Sequence, residues 1–355
     1  MEHAVVGEPT EITAGWMTTA LEAAGVAQGA TVLDVTFEGL IGTGQMSRNA
    51  RFSLTWDQPG RPSRCVGKFP AADPTARTTG FDGGYQKEWT FYRHLKPGVG
   101  VSTPDVWVAL FDHDALDFVI IMEHMDGAEQ GDQFRGLTED EARLAVEQAV
   151  AFHAPKWGDP ELRALFGKDV EENPAKLGMI YPMLVEMSLD RLGDLVDDQS
   201  REVARALSPL VEKWILSSDT PYTLVHMDYR PDNFMFGVTP EAPPITIVDW
   251  ATITCGPGTH DIAYMIGGSF EPEDRRRVEH GLVDHYRELL NEAGVAYDAD
   301  TCWRDYRLSS LWGVVMSIIA TMLAQETERG NRMLATMLRR HVQHAVDLDA
   351  LSLLA

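Results

Sequence analysis

The segment His226-Met227-Asp228-Tyr229-Arg230-Pro231-Asp232-Asn233 sets a carboxylate, a guanidinium and a carboxamide on one short stretch, and Ile247-Val248-Asp249-Trp250 follows with a second carboxylate. Phosphoryl transfer to an alcohol asks a protein for positioning and charge more than for covalent chemistry. One carboxylate accepts the hydroxyl proton, an amide holds one magnesium ion, and a carboxylate after the next strand bridges the metals. Asp228, Asn233 and Asp249 occur in that order. The runs Tyr222-Thr223-Leu224-Val225 and Ile245-Thr246-Ile247-Val248 read as strands, so both acids stand where a strand gives way to a loop. Pro231 and Asp232 fix a turn that points Asp228 and Asn233 back toward one site.

This segment resembles the catalytic loop of the aminoglycoside phosphotransferase and choline kinase branch of the protein kinase-like fold, most closely the ecdysteroid-kinase-like (CHK kinase-like) group. Met227 stands where that branch usually has Gly, and Ala251 follows Asp249-Trp250 where Gln is common. The resemblance implies that Asp228 is the base, that Asn233 and Asp249 hold the metal, and that Arg230 neutralises charge on the transferring phosphoryl group. A solvated loop arginine is the plain alternative for Arg230. The resemblance also implies an α+β, bilobal, protein kinase-like fold. A mostly β, nucleotide-binding lobe would cover residues 1–126, and a larger, mostly α lobe over 127–355 would carry the catalytic loop and the acceptor pocket.

Sequence periodicity agrees with that order. A first helix is expected over Glu11–Ala24, then strands over 31–40, 50–56, 64–69, 106–111 and 118–122, interrupted by one helix over Tyr85–Leu95. After Asp126 the pattern turns helical, over 138–154, 199–217, 271–292 and 301–351.

The first lobe holds residues suited to a nucleotide. Gly39-Leu40-Ile41-Gly42-Thr43-Gly44 lies between two expected strands, and Gly42, Thr43 and Gly44 would let backbone N–H groups approach phosphates; a hairpin turn without a ligand looks the same. Lys68 ends a strand of apolar neighbours, and Glu88 lies on the face of the Tyr85–Leu95 helix that could meet it. In the resembled family such a pair holds a lysine against the α- and β-phosphates. The segment Ile120-Ile121-Met122-Glu123-His124-Met125 resembles the hinge that joins the lobes, where the backbone of Glu123 and Met125 would read a purine edge. Backbone contacts of this kind suit ATP and GTP alike.

Composition narrows the class. With 355 residues and 44% hydrophobic content the chain can bury two cores. Acidic residues number 54 against 30 basic, a net charge of −24, and no Lys/Arg-rich run occurs, which argues against nucleic acid or an anionic membrane as partner. Cys65, Cys255 and Cys302 form no disulfide framework, which suits a reducing cytoplasm. The start, Met1-Glu2-His3, is not a secretory signal, and the longest apolar run, Leu311–Leu323, is shorter than the roughly 20 residues a membrane span needs.

Other candidates carry plainer expectations. His153 should pack with hydrogen bonds, His226 should brace the catalytic loop through its ring, and His341 with His344 should be a solvated pair. Asp261 should secure the loop or cap a helix starting near Ile262. The stretch between Asp249 and Asp261 is too short for an activation segment that docks a protein substrate, so a small hydroxylated molecule is the expected acceptor. Met179, Ile180, Met183 and Met187, or Trp303, Trp312 and Met316, could line an adaptable apolar pocket, although such residues at helical spacing are first read as core. A lipophilic alcohol, hydroxyacyl compound or sterol-like acceptor fits such a pocket. An aminoglycoside or choline-like cation fits the acidic charge, and a nucleotide-binding pseudokinase would keep the fold without turnover.

Overall fold

The structure is a computed structural model that describes residues 4–42, 47–81, 83–167, 171–324 and 326–355. In chain order its main elements are α1 (Ala14–Ala23), β1 (Val32–Ile41), β2 (Ser47–Trp56), β3 (Arg64–Pro70), α2 (Pro74–Phe81), α3 (Gly84–Thr90), β4 (Val106–Asp112), β5 (Asp117–Glu123) and β6 (Ala128–Gln130). Then come α4 (Glu139–His153), α5 (Pro160–Leu165), α6 (Asn173–Leu192), α7 (Asp198–Leu207), α8 (Val211–Ile215), β7 (Thr223–Val225), β8 (Phe234–Gly237), β9 (Ile245–Ile247) and β10 (Thr254–Gly256). Four long helices finish the chain: α9 (Thr259–Ser269), α10 (Pro272–Glu292), α11 (Ala299–Leu323) and α12 (Glu328–Asp347). This is the α+β, bilobal arrangement, with strands first and a larger helical part after them. It divides into two compact units, one of Met1–Gly98, Ser102–Ala128 and Gly237–Thr252, the other of Val99–Val101, Glu129–Phe236 and Ile253–Ala355.

The first unit is built on an antiparallel five-stranded sheet in the order β1-β2-β3-β5-β4. Strand alternation sends successive side chains to opposite faces. Cys65 and Phe69 of β3 and Val119 and Ile121 of β5 therefore pack with Phe52 against Met17 and Leu21 of α1. Phe118, Ile120 and Met122 face the other way, toward Tyr85 of α3. Lys68 shares the parity of Val66, which packs with that second cluster, so alternation alone points it toward α3. Gly67 has no room for a side chain, since a Cβ there would lie 2.6 Å from the Phe69 ring.

The second unit is helical. Helix α4 starts at a capping box in which the Thr138 hydroxyl accepts from the Glu141 amide and the Glu141 carboxylate accepts from the Thr138 amide. Tyr181, Val185 and Leu189 of α6 pack with Leu311, Val314 and Ile318 of α11 and Leu334 and Leu338 of α12 into the main core. Strands β7 and β10 pair antiparallel, with Val225 opposite Thr254, and present the loop that follows β7. All three cysteines are free and buried.

Three helical expectations need correction. The 301–351 pattern is two helices, because Ala324 turns extended and the Thr327 side chain caps a new start by accepting from the Gly330 amide. The 199–217 pattern breaks at Pro209 into α7 and α8. Helix α6 lies outside the expected helical ranges, although Met179, Ile180, Met183 and Met187 have helical spacing, and it runs on through Pro182 in its interior. Among the described residues α11 is the one helix long and apolar enough to cross a membrane, and 61% of its most apolar window is buried inside the protein.

Candidate active site

In the first unit, the Lys68 ammonium lies 2.6 Å from the Glu88 carboxylate and 2.9 Å from that of Asp249. Lys68 and Glu88 are buried, at 4% and 1% exposure, whereas the Asp249 side chain is 47% exposed. Burial works against the Lys68 charge, but Asp249 and then Glu88 outweigh it and raise its pKa, so the ammonium persists. Burial also raises the Glu88 pKa, against the pull of Lys68 and of the Trp250 amide that donates to it. Asp249 is held at φ +64°, a left-handed conformation that Asp tolerates better than most residues. Next to it, the Trp250 ring stacks on Phe91, which follows α3, with centroids 3.7 Å apart and planes 4° from parallel. One helix thus supports both the partner of Lys68 and the neighbour of Asp249.

In the second unit, the loop after β7 gathers Asp228, Arg230 and Asn233. Arg230 Nε donates to Asp228 Oδ1 at 2.9 Å, and Asn233 Nδ2 donates to Asp228 Oδ2 at 2.9 Å and to the Asp228 carbonyl at 2.8 Å. Arg230 also pairs with Asp232, so it is neither solvated nor alone. Burial opposes its charge, and Asp228 and Asp232 raise its pKa despite that. With its amide nitrogen turned to Asp228, Asn233 keeps its carbonyl oxygen as the donor atom a metal would use.

The loop is anchored from behind by Asp261. Its two carboxylate oxygens accept the His226 amide at 2.7 Å and the Met227 amide at 2.8 Å, and His153 Nε2 lies 3.1 Å away. His153 Nδ1 meets the Tyr286 hydroxyl at 2.9 Å, the packing role expected of it. Asp261 belongs to the first turn of α9, which begins at Thr259, and it secures the loop. His226 joins this bracing through its backbone amide. Met227 has φ +69°, and its carbonyl accepts the Trp312 indole N–H at 3.0 Å. That bond gives Trp312 a task that helical spacing could not reveal.

The remaining candidates are placed as follows. Gly42 follows β1 at φ +75°, while Thr43 and Gly44 lie outside the described residues. The Glu123 amide donates to the Asp105 carbonyl at 2.9 Å, its carboxylate accepts the Asp105 amide at 2.8 Å, and Met125 is half-buried beyond the strand. Among the described residues no cluster of three or more His, Cys, Asp or Glu could by itself hold a metal; magnesium seldom uses such a cage, relying on one or two protein ligands with phosphates and water. The solvated pair expected of His341 and His344 is overturned. Both are fully buried, His344 Nε2 meets the Tyr306 hydroxyl at 2.9 Å, and burial lowers the pKa of each. The core reading of the methionine stripe is overturned too, because Met179 is 77% and Met183 57% exposed on α6.

The sequence profile of the Phosphotransferase enzyme family (APH) matches residues 47–299. The chain belongs to this family. No curated protein matches it. Among solved structures, the fold is similar to choline kinase from Cryptosporidium parvum, with TM-score 0.58, 12% identity, and 90% of this chain and 91% of that one covered. It is also similar to the choline kinase LicA from Streptococcus pneumoniae, with TM-score 0.53, 14% identity, and coverage of 93% and 99%. A third likeness is to wild-type aminoglycoside 2'-phosphotransferase-IIIa in its GDP complex, with TM-score 0.52, 16% identity, and coverage of 92% and 99%. These likenesses show the shared protein kinase-like, bilobal fold, and membership of the family is membership among phosphotransferase enzymes.

Proposed function

We propose that this phosphotransferase moves the γ-phosphoryl group of ATP onto a hydroxyl of a small molecule that carries a cationic group, such as an amino alcohol or an aminoglycoside. The observation that carries the phosphotransfer reading is the buried Lys68 between Glu88 and Asp249. Removing a lysine from water is expensive even when it is paired, and an anionic ligand at its ammonium gives a reason to retain it. The names of the structural relatives, choline kinase and aminoglycoside phosphotransferase, and the net charge of −24 support a cationic acceptor.

In this reading the lobe over 1–126 binds the nucleotide and the lobe over 127–355 binds the acceptor. Lys68 steadies the phosphates and Glu88 positions Lys68. Gly42, Thr43 and Gly44 serve the phosphates, and the backbone of Glu123 and Met125 reads the purine edge. Asn233 and Asp249 hold magnesium, which when bound neutralises phosphate charge. Asp228 takes the acceptor's hydroxyl proton as its oxygen bonds to the γ-phosphorus and the bond to the β-phosphate bridging oxygen breaks, leaving ADP. Arg230 offsets the charge that builds on the transferring group.

A second reading, a lipophilic alcohol, hydroxyacyl or sterol-like acceptor, is favoured by the exposed stripe of Met179, Ile180, Met183 and Met187. The test is transfer of labelled γ-phosphate from Mg·ATP to choline, ethanolamine and kanamycin against long-chain alcohols and a hydroxysterol. Product from the first group alone supports the cationic acceptor, and product from the second group alone refutes it. Asp228→Asn should depress turnover strongly with nucleotide affinity kept, and Asp249→Asn should weaken metal-dependent nucleotide binding as well. Normal turnover in either variant would refute these roles.

A further inference from the structure

Asp232 lies in the loop after β7 between Pro231, which shapes the turn, and Asn233. Its carboxylate joins two groups that a turn alone would leave apart. Oδ1 accepts the Gln133 amide at 2.9 Å, and Oδ2 pairs with Arg230 Nη1. Arg230 in turn gives Nε to Asp228 Oδ1 at 2.9 Å. A guanidinium that meets a single carboxylate commonly takes it with two parallel N–H bonds. Here one guanidinium is divided between two acids, and the second oxygen of Asp228 accepts Asn233 Nδ2 at 2.9 Å.

The hold on Asp232 comes from outside its own loop. Gly131 follows β6, and its amide donates to the Phe234 carbonyl at 2.8 Å. A Cβ at Gly131 would lie 2.3 Å from the Pro231 carbonyl oxygen, so a residue without one lets the two segments come together. Gln130 Nε2 donates to the Asp232 carbonyl at 2.6 Å. Gln133 is buried, and its Nε2 donates to the Gly268 carbonyl of α9 at 2.8 Å. Arg340 of α12, also buried, donates to that same carbonyl at 2.9 Å and to the Gln133 carbonyl at 3.1 Å. These bonds tie Gln133 to two helices, which makes its amide a fixed point against which the Asp232 carboxylate is set.

We propose that Asp232 is a positioning residue for Arg230: anchored on the Gln133 amide, it holds one end of the guanidinium, so that Arg230 meets Asp228 through Nε and does not close on both of its oxygens. The inference rests on the reading of Asp228 as the base. Two carboxylates share one guanidinium, so the trio stays anionic, and Asp228 keeps the charge that draws a proton from an alcohol. Without Asp232, the released nitrogen of Arg230 would turn to Asp228 and draw its second oxygen away from Asn233. A displacement of about 1 Å can cost roughly a hundredfold in rate. Asp232 touches no reacting atom itself. It sets the guanidinium that flanks the base.

The test uses the full chain and the slow hydrolysis of Mg·ATP, in which water replaces the alcohol. Asp232→Asn keeps the shape and an oxygen for the Gln133 amide, and turns a donor toward Arg230. The side chains of the pair are partly exposed, at 20% for Arg230 and 28% for Asp232, and ion pairs in contact with water add little to stability, so the variant should unfold at the parent's midpoint. Its kcat should fall about tenfold or more, with the KM for ATP within about twofold. The decisive readout is the cycle with Arg230→Ala. A residue that acts through Arg230 has nothing left to position in that background, so Asp232→Asn should lower kcat there by less than about twofold. Asp228→Asn is run beside them. Parent kcat in Asp232→Asn overturns the proposal, and so does a loss as large in the Arg230→Ala background as in the parent, which is what a merely structural role would give. Full turnover in Asp228→Asn gives a different signature and would sink the base reading together with this inference.

Discussion

Replacing Lys68 by methionine keeps the aliphatic stem and deletes the charge, which strands Glu88 in the interior of the first unit. Nζ and Oε2 lie 2.6 Å apart, and at an effective dielectric of about 20 that separation corresponds to a gross attraction of roughly 6 kcal/mol. Desolvation offsets much of this in the intact pair. Removing one partner leaves the other uncompensated, at a cost of roughly 3–5 kcal/mol. Asp249, half-exposed, can turn to water and adds little. Glu88 can escape only by taking up a proton. Burial already raises its pKa, with Lys68 as the main opposing charge, so losing Lys68 raises it further. A carboxyl whose folded pKa is raised has its full share of stability below its ordinary value of 4.5 and loses that share as pH rises through the raised value. The deficit of Lys68→Met should therefore be small near pH 5 and full at pH 8, where at roughly 2–4 °C per kcal/mol the midpoint should drop by about 6–20 °C. Thermal unfolding followed by tryptophan fluorescence at both pH values checks this. Adding Glu88→Gln to Lys68→Met should recover most of the loss. A deficit of equal size at pH 5 and pH 8, together with a double variant no more stable than the single one, would refute the reasoning.

Asp261→Asn turns one of the two acceptors that hold the His226 and Met227 amides into a donor, so stability should fall by about 1–3 kcal/mol and ATP turnover with it; urea denaturation showing parent stability would contradict this. Met227→Val should be less stable than Met227→Gly by about 1–2 kcal/mol, because φ +69° is poorly tolerated by a β-branched side chain; equal denaturation midpoints would count against the left-handed conformation. Burial pushes the His260 pKa from 6.5 down to about 4, so its ring should stay neutral across pH 5–8. Its contribution to stability should fade as pH falls from about 6.5 toward 4, where the unfolded chain binds the proton first. A ring-proton NMR signal of His260 that titrates near pH 6.5 would refute it.

Much of the candidate site could be read from the chain because its members are close in sequence or obey a simple period. Asp228, Arg230 and Asn233 lie on one turn, so their mutual bonds follow from local geometry. Lys68 and Glu88 are further apart; helix facing left Glu88 able to meet the lysine, and the resemblance carried by the Asp228 loop made the pair the expectation. The misses have a common origin. The break at Thr327 was missed because local rules do not weigh the core that α6, α11 and α12 share. His341 and the methionines of α6 exchanged places relative to expectation, the polar ring going inside and the apolar side chains outside. Periodicity ranks faces by polarity, and a polar residue can be buried when a cavity of the right shape receives it.

The sequence by itself determined the family, the order of strands before helices, and which residue types stand at the turns that phosphoryl transfer uses. These are properties of neighbours in the chain, fixed by side-chain chemistry and by the periods of helix and strand. Only the tertiary structure decided how those turns are held. Asp261 on the amides of His226 and Met227, Trp312 on the Met227 carbonyl, Phe91 on Trp250, and His341 on Tyr264 all join residues far apart in sequence. Hydrogen bonds and ring contacts act over a few ångströms, and which distant residues come that close is set by how helices and strands pack.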